Sequence, residues 1–119
     1  MLSDRLLDHF RNPRNIGELQ KPAVTVEASN PACGDRISLS VRLEGDRIAE
    51  VRYRVKGCAP SVAAGSALTE LLSGRPAATL RALGTAELEE ALGGLSTESR
   101  HAAVLCLDAV RAVEKELGL

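Results

Sequence analysis

Apolar residues recur along this chain with two different periods, and the change from one to the other falls near position 58. From Val24 to Ala28, Ile37 to Leu43 and Ile48 to Val55, aliphatic residues alternate with polar ones, as in strands buried on one face. In the middle segment Ile37, Leu39, Val41 and Leu43 share one side, and Arg36, Ser38, Ser40 and Arg42 the other. Glu44-Gly45-Asp46 reads as a hairpin turn, so the three strands form an antiparallel meander with one wet face. Beyond Cys58 the period becomes roughly 3.6 residues, with Val62, Leu68, Leu71 and Leu72 on a helix that Pro60 opens and Gly74 ends. Pro76 opens a short helix, Thr85 caps another with Glu87 in its first turn, and Gly93-Gly94 closes it. Ser96 or Thr97 starts the last and longest helix, whose Ala102, Leu105, Ala109, Ala112, Val113 and Leu117 form an apolar stripe. Ahead of the strands, Leu6, Leu7 and Phe10 have helical spacing behind a Ser3 or Asp4 cap, and Pro13 ends that helix.

Strands followed by helices imply an α+β fold, a three-stranded antiparallel sheet with helices packed on one face. No repeat, low-complexity tract or linker divides the sequence, so residues 1–119 are read as a single domain. With 45% apolar content but one Phe, one Tyr and no Trp, its one modest core must consist mainly of Leu, Val, Ile and Ala. Fifteen basic and sixteen acidic residues are interspersed to a net charge of −1, which argues against nucleic acid and anionic membrane surfaces as partners. The apolar runs are too short to cross a bilayer, and Met1-Leu2-Ser3-Asp4-Arg5 lacks a signal peptide's apolar stretch. A cytoplasmic protein is expected, and three cysteines there read as reduced thiols.

Three short segments carry the chemistry: Asn30-Pro31-Ala32-Cys33-Gly34-Asp35, Lys56-Gly57-Cys58-Ala59-Pro60 and Arg100-His101-Ala102. Cys33, Asp35, Cys58 and His101 offer thiolate, carboxylate and imidazole, donors that suit zinc or iron. Cys33 and Asp35 fall in the turn between the first two strands. Cys58 precedes a helix start, where the helix dipole favours thiolate, and His101 falls in the second turn of the last helix. Each has a plain structural reading as well, since a free Cys is often simply buried and Asp after Gly is common in turns. Cys106 lies on the apolar stripe and is explained by packing. His9 has no partner nearby in sequence and reads as a surface residue.

Taken together, the segments resemble the U-type iron–sulfur cluster scaffold family, the IscU and NifU N-terminal domain group. Asp8-His9-Phe10-Arg11-Asn12-Pro13-Arg14-Asn15-Ile16-Gly17 is similar to the family's DHxxNPRNxG opening, and residues 30–35 to its NPxCGD turn. Gly57-Cys58-Ala59 is similar to its second cysteine segment, and the helix from His101 through Ala112 runs in step with its HCxMLAxDAIKA segment. The resemblance implies a non-enzymatic scaffold or carrier. Such proteins take iron and, from a cysteine desulfurase, sulfur, build a transient [2Fe-2S] cluster, pass it to acceptor proteins, and commonly hold zinc at rest. Cys33, Asp35, Cys58 and His101 match its ligand positions.

Two departures stand out. The family's third cysteine, which follows the histidine and commonly accepts sulfur, is replaced by Ala102; Cys106 lies four residues on. Leu95-Ser96-Thr97-Glu98-Ser99 occupies the place of the LPPVK segment that family members present to a chaperone, with both prolines and the lysine gone, which places that partner in doubt. The insertion of the zinc-dependent SufU branch is also absent. The alternative to a cluster scaffold is therefore a diverged zinc-binding docking module, or a sulfur relay, that does not build clusters.

Overall fold

The period-two segments form a meander with strand order β1-β2-β3 and antiparallel pairing throughout. The computed structural model describes residues 2–119. Its elements run α1 (Asp4–Arg11), β1 (Val24–Ser29), β2 (Arg36–Glu44), β3 (Arg47–Lys56), α2 (Ala59–Leu72), α3 (Thr79–Ala82), α4 (Thr85–Ala91), a single 3-10 turn (Thr97–Ser99) and α5 (His101–Leu117). Gly45 and Asp46 join β2 to β3 as a two-residue turn, with Glu44 paired to Arg47.

On the inner face Ile37, Leu39, Val41, Ile48, Val51 and Tyr53 are almost fully buried. There α5 crosses β1 and β2 while α2 lies along β3, and α1 and α4 pack against α2. The outer face carries exposed Thr25, Glu27, Arg36 and Arg54, but it is not uniformly wet: Ser40 is fully buried, its hydroxyl 2.8 Å from that of Thr25.

Helix α2 is more deeply embedded than a single stripe implies, because every residue from Ser61 to Thr69 except Val62 is buried. Its approach to β3 depends on Gly65, where a Cβ would lie 2.4 Å from the ring carbons of Tyr53. The Tyr53 hydroxyl donates to the Val62 carbonyl at 2.8 Å, so the polar tip of the one large aromatic of the core is satisfied.

Several helix boundaries differ from the sequence reading. Ser3 caps α1 by accepting from the Leu6 amide at 3.0 Å, yet Phe10 is 42% exposed and α1 buries Leu6 and His9 instead. The N-cap of α4 is Gly84, not Thr85, and the Glu87 carboxylate turns back to accept from the Gly84 amide at 2.6 Å. The last helix begins at His101 after a separate 3-10 turn, so His101 is its first residue and is not in its second turn.

Candidate metal centre

Strand register brings the first two candidate segments together. Arg36 pairs with Lys56 at the end of the sheet, so the residues just beyond them, Asp35 and Gly57, are neighbours. The 30–35 turn is closed by the Asn30 amide donating to the Asp35 carbonyl at 2.8 Å and the Gly34 amide donating to the Asn30 carbonyl at 2.7 Å. Gly34 takes a φ of +77° there, a conformation that residues with a Cβ rarely adopt. The turn leaves Cys33 exposed and folds Asp35 inward, to 6% exposure.

Asp35 meets the start of α2. Cys58 is the N-cap residue, with Pro60 in the first turn and Ser61 one residue further. Asp35 Oδ2 accepts from the Ser61 hydroxyl at 2.7 Å, from the Cys58 thiol at 3.1 Å and from the Cys58 amide at 3.5 Å. The Ser61 hydrogen bond, followed by those from Cys58 and the nearby His101, outweighs burial and holds the Asp35 carboxyl below its ordinary pKa. Position 57 leaves no space on the other side, because a Cβ there would lie 2.6 Å from Asp35 Cγ and 2.7 Å from its Oδ1.

The third segment arrives through the 3-10 turn. His101 Nδ1 is 2.7 Å from the Glu98 carbonyl, which can only accept, so Nδ1 carries a proton and Nε2 is the nitrogen left to face the site. That Nε2 lies 3.4 Å from Cys58 Sγ and 3.7 Å from Asp35 Oδ2. Ligand atoms of Cys33, Asp35 and His101 lie within 4.8 Å of one another. Asp35 and His101 thus meet Cys58 in one set and Cys33 in another, the side chains arriving from three distant segments.

Their donor set fits a zinc or iron ion. Ligand bonds of about 2.0–2.3 Å set tetrahedral edges of about 3.3–3.8 Å. The 3.1, 3.4 and 3.7 Å separations among Cys58, Asp35 and His101 fall at or close to that range. The set combines soft thiolates with a carboxylate, the weakest donor of the four for a soft site.

The remaining cysteine stays apart from the candidate ligands. Cys106 is fully buried, and burial pushes its thiol up to about 12, which suits packing and not metal binding. Ala102 is also fully buried, within the core of α5. Three contributors have roles that the sequence does not assign: Ser61, Gly57 and the Glu98 carbonyl. Serine three residues after a cysteine that opens a helix was the available signal for Ser61.

His9 is the clear correction. It is 8% exposed, with Nδ1 at 2.7 Å from the Ser66 hydroxyl and 3.0 Å from an Arg14 guanidinium nitrogen. Arg14 in turn pairs with Asp8 at 2.5 Å, and His9 Nε2 faces Glu70 at 3.5 Å. His9 and the backbone of Arg14 therefore fasten α1 onto α2 through the Ser66 hydroxyl, the first of these contacts joining residues 57 apart in sequence. Burial, and then the charge of Arg14, keep the imidazole below its ordinary pKa.

Comparison with known proteins agrees with the architecture. The model of the NifU-like N terminal domain family matches residues 1–116. The bifunctional protein NifU/MnmA of Rubrobacter xylanophilus is 47% identical over 113 residues, covering 92% of this chain but 23% of that protein. The iron-sulfur cluster assembly scaffold protein IscU 1 of Archaeoglobus fulgidus is 33% identical over 111 residues, covering 93% of this chain and 72% of that one. Among solved structures, the N-terminal NifU-like protein of Brucella abortus superposes with a TM-score of 0.64 at 23% identity, over 94% of this chain and 78% of that one, a likeness of fold.

Proposed function

The chain belongs to the NifU-like N terminal domain family, and we propose that it serves as an iron–sulfur cluster assembly scaffold whose cargo is held by Cys33, Asp35, Cys58 and His101. The observation that carries this reading is the convergence of two thiols, a carboxylate and an imidazole whose Nδ1 is engaged by the Glu98 carbonyl, at one end of the fold. Four ligands suffice for a tetrahedral zinc ion, and for the four terminal positions of a [2Fe-2S] cluster. The carboxylate is the exchangeable member, which a scaffold that releases its cargo requires. Sulfur would come from a cysteine desulfurase, and the finished cluster would leave for acceptor proteins.

A second reading is favoured by two observations: position 102 holds a buried alanine, and the last cysteine is sequestered. A chain with two thiols at the site could retain zinc and act as a docking module. Anaerobic reconstitution with ferrous iron, cysteine and a cysteine desulfurase, read by absorption and Mössbauer spectra, separates the two. A [2Fe-2S] spectrum that disappears in Cys33→Ala/Cys58→Ala supports the scaffold. Zinc alone, with no cluster formed, supports the module.

A further inference from the structure

Ser61 differs from Ser66, the other serine of α2, in what it serves. Fully buried at the helix start, it directs its hydroxyl at Asp35 Oδ2, 2.7 Å away, and it also lies 3.4 Å from Cys58 Sγ. The backbone of Gly57 closes the opposite side of the same carboxylate. Oδ2 collects all three hydrogen bonds made to the Asp35 side chain among the described residues, and their sources, Ser61 and Cys58, lie in one turn of α2. The bond from the Cys58 thiol disappears when Cys58 binds a metal as thiolate, since its S–H proton is then lost. Of the two that remain, the Ser61 bond at 2.7 Å is much the shorter, the Cys58 amide standing at 3.5 Å.

Resting on the metal-centre reading above, we propose that Ser61 is a positioning residue that holds the Asp35 carboxylate toward the Cys58 thiol and the His101 imidazole, so that the oxygen ligand is in place before metal arrives. Carboxylates that bind metal are oriented by such outer hydrogen bonds, and losing one typically costs about 10–100-fold in affinity. Without the hydroxyl, Asp35 keeps the thiol bond, which metal binding removes, and the long 3.5 Å bond from the Cys58 amide, so its orientation is no longer fixed before metal binds.

The test is zinc competition against a chromophoric chelator in four proteins: natural, Ser61→Ala, Asp35→Ala and the double variant. Ser61→Ala is expected to weaken zinc by about 10–100-fold, and to have no further effect once Asp35 is alanine. Cobalt(II) provides a second readout: its visible d–d bands should lose intensity in Ser61→Ala as water takes the carboxylate's place, and regain it in Ser61→Thr, which keeps the hydroxyl. An equal loss of affinity in both Asp35 backgrounds would show that Ser61 acts through the fold and overturn the proposal, as would unchanged affinity in Ser61→Ala alone. If Asp35→Ala by itself left zinc affinity unchanged, the metal-centre reading would fall first, and this role with it. Should Ser61→Thr not fold, the four-protein comparison decides.

Discussion

Replacing Gly57 with alanine should change sign depending on what stands at position 35. Outside the left-handed region, where Gly57 lies, glycine to alanine ordinarily stabilises by about 0.4–1 kcal/mol, because the unfolded chain loses freedom. In this molecule the new Cβ would lie 2.6 Å from Asp35 Cγ, 2.7 Å from Oδ1 and 2.9 Å from Oδ2, well inside ordinary contact of about 3.5–4.0 Å. The carboxylate would have to move by several tenths of an ångström or more, out of its hydrogen bond with buried Ser61. Overpacking of this kind costs about 1–3 kcal/mol, and leaving a buried hydrogen-bonding group unpaired costs about 1–3 kcal/mol. The expected result for Gly57→Ala is therefore net destabilisation of about 1–4 kcal/mol, taking the overlap and lost bond as partly the same strain. In the Asp35→Ala background, with all three clashing atoms removed, the same substitution should be neutral or slightly stabilising. Urea unfolding of the four metal-free proteins at neutral pH measures both numbers. A Gly57→Ala cost of equal size in both backgrounds would refute the argument that position 57 is reserved for the carboxylate.

Cys33 and Cys58 should react rapidly with a thiol reagent after chelation while Cys106 reacts only on unfolding, since Cys33 is exposed and the Cys106 thiol is buried and pushed up to about 12; mass spectrometry of partly labelled protein reads this directly. Cys106→Ala should cost about 1 kcal/mol through packing and leave zinc stoichiometry unchanged; loss of metal in that variant would contradict its sequestered position. His9 has a folded pKa below its ordinary value, so it binds fewer protons folded than unfolded and its contribution is present above about pH 6.5, then lost as pH falls through the folded value. The urea midpoint of the metal-free protein should decline toward pH 5 more steeply than that of His9→Gln, with Asp8, Arg14 and Glu70 as the charged neighbours common to both; identical pH slopes would remove His9 from the account. Ala102→Cys adds a sulfur at a fully buried position and should cost about 1–3 kcal/mol while raising cluster yield per chain in reconstitution; equal yields would show that Ala102 does not limit assembly.

The strands were legible because alternation of the Ile37, Leu39 and Val41 kind is a local signal that burial on one face writes into every second residue. The four candidate ligands were legible one by one as chemistry, and their joint meaning came from motif resemblance; their meeting depends on register and on two helix starts, which spacing along the chain does not encode. His9 was misread for a related reason: its partners Ser66 and Glu70 lie on a helix more than fifty residues away, and a polar side chain buried by tertiary pairing leaves no periodic trace. Ser61 is small and polar and Gly57, though part of the second cysteine segment, has no side chain, so the role of each exists only in relation to Asp35. The late start of α5 was obscured by Ser96 and Thr97, both good cap residues, which introduce a 3-10 turn instead.

Asp35 and Cys58 stand 23 positions apart, and Cys58 and His101 a further 43, so a bound ion would be a staple that closes two chain loops at once. Closing such loops has an entropic cost that grows only with the logarithm of their length, and here the sheet and α2 have already met most of it. Removing the ion should then leave the body of the molecule folded and relax one end: the 30–35 turn, the first turn of α2 and the 3-10 turn before His101. Amide exchange would quicken in those three stretches together and scarcely elsewhere. Loading and stiffness become two readings of one state, and a partner that touches all three stretches can tell a filled molecule from an empty one by how firmly they are held.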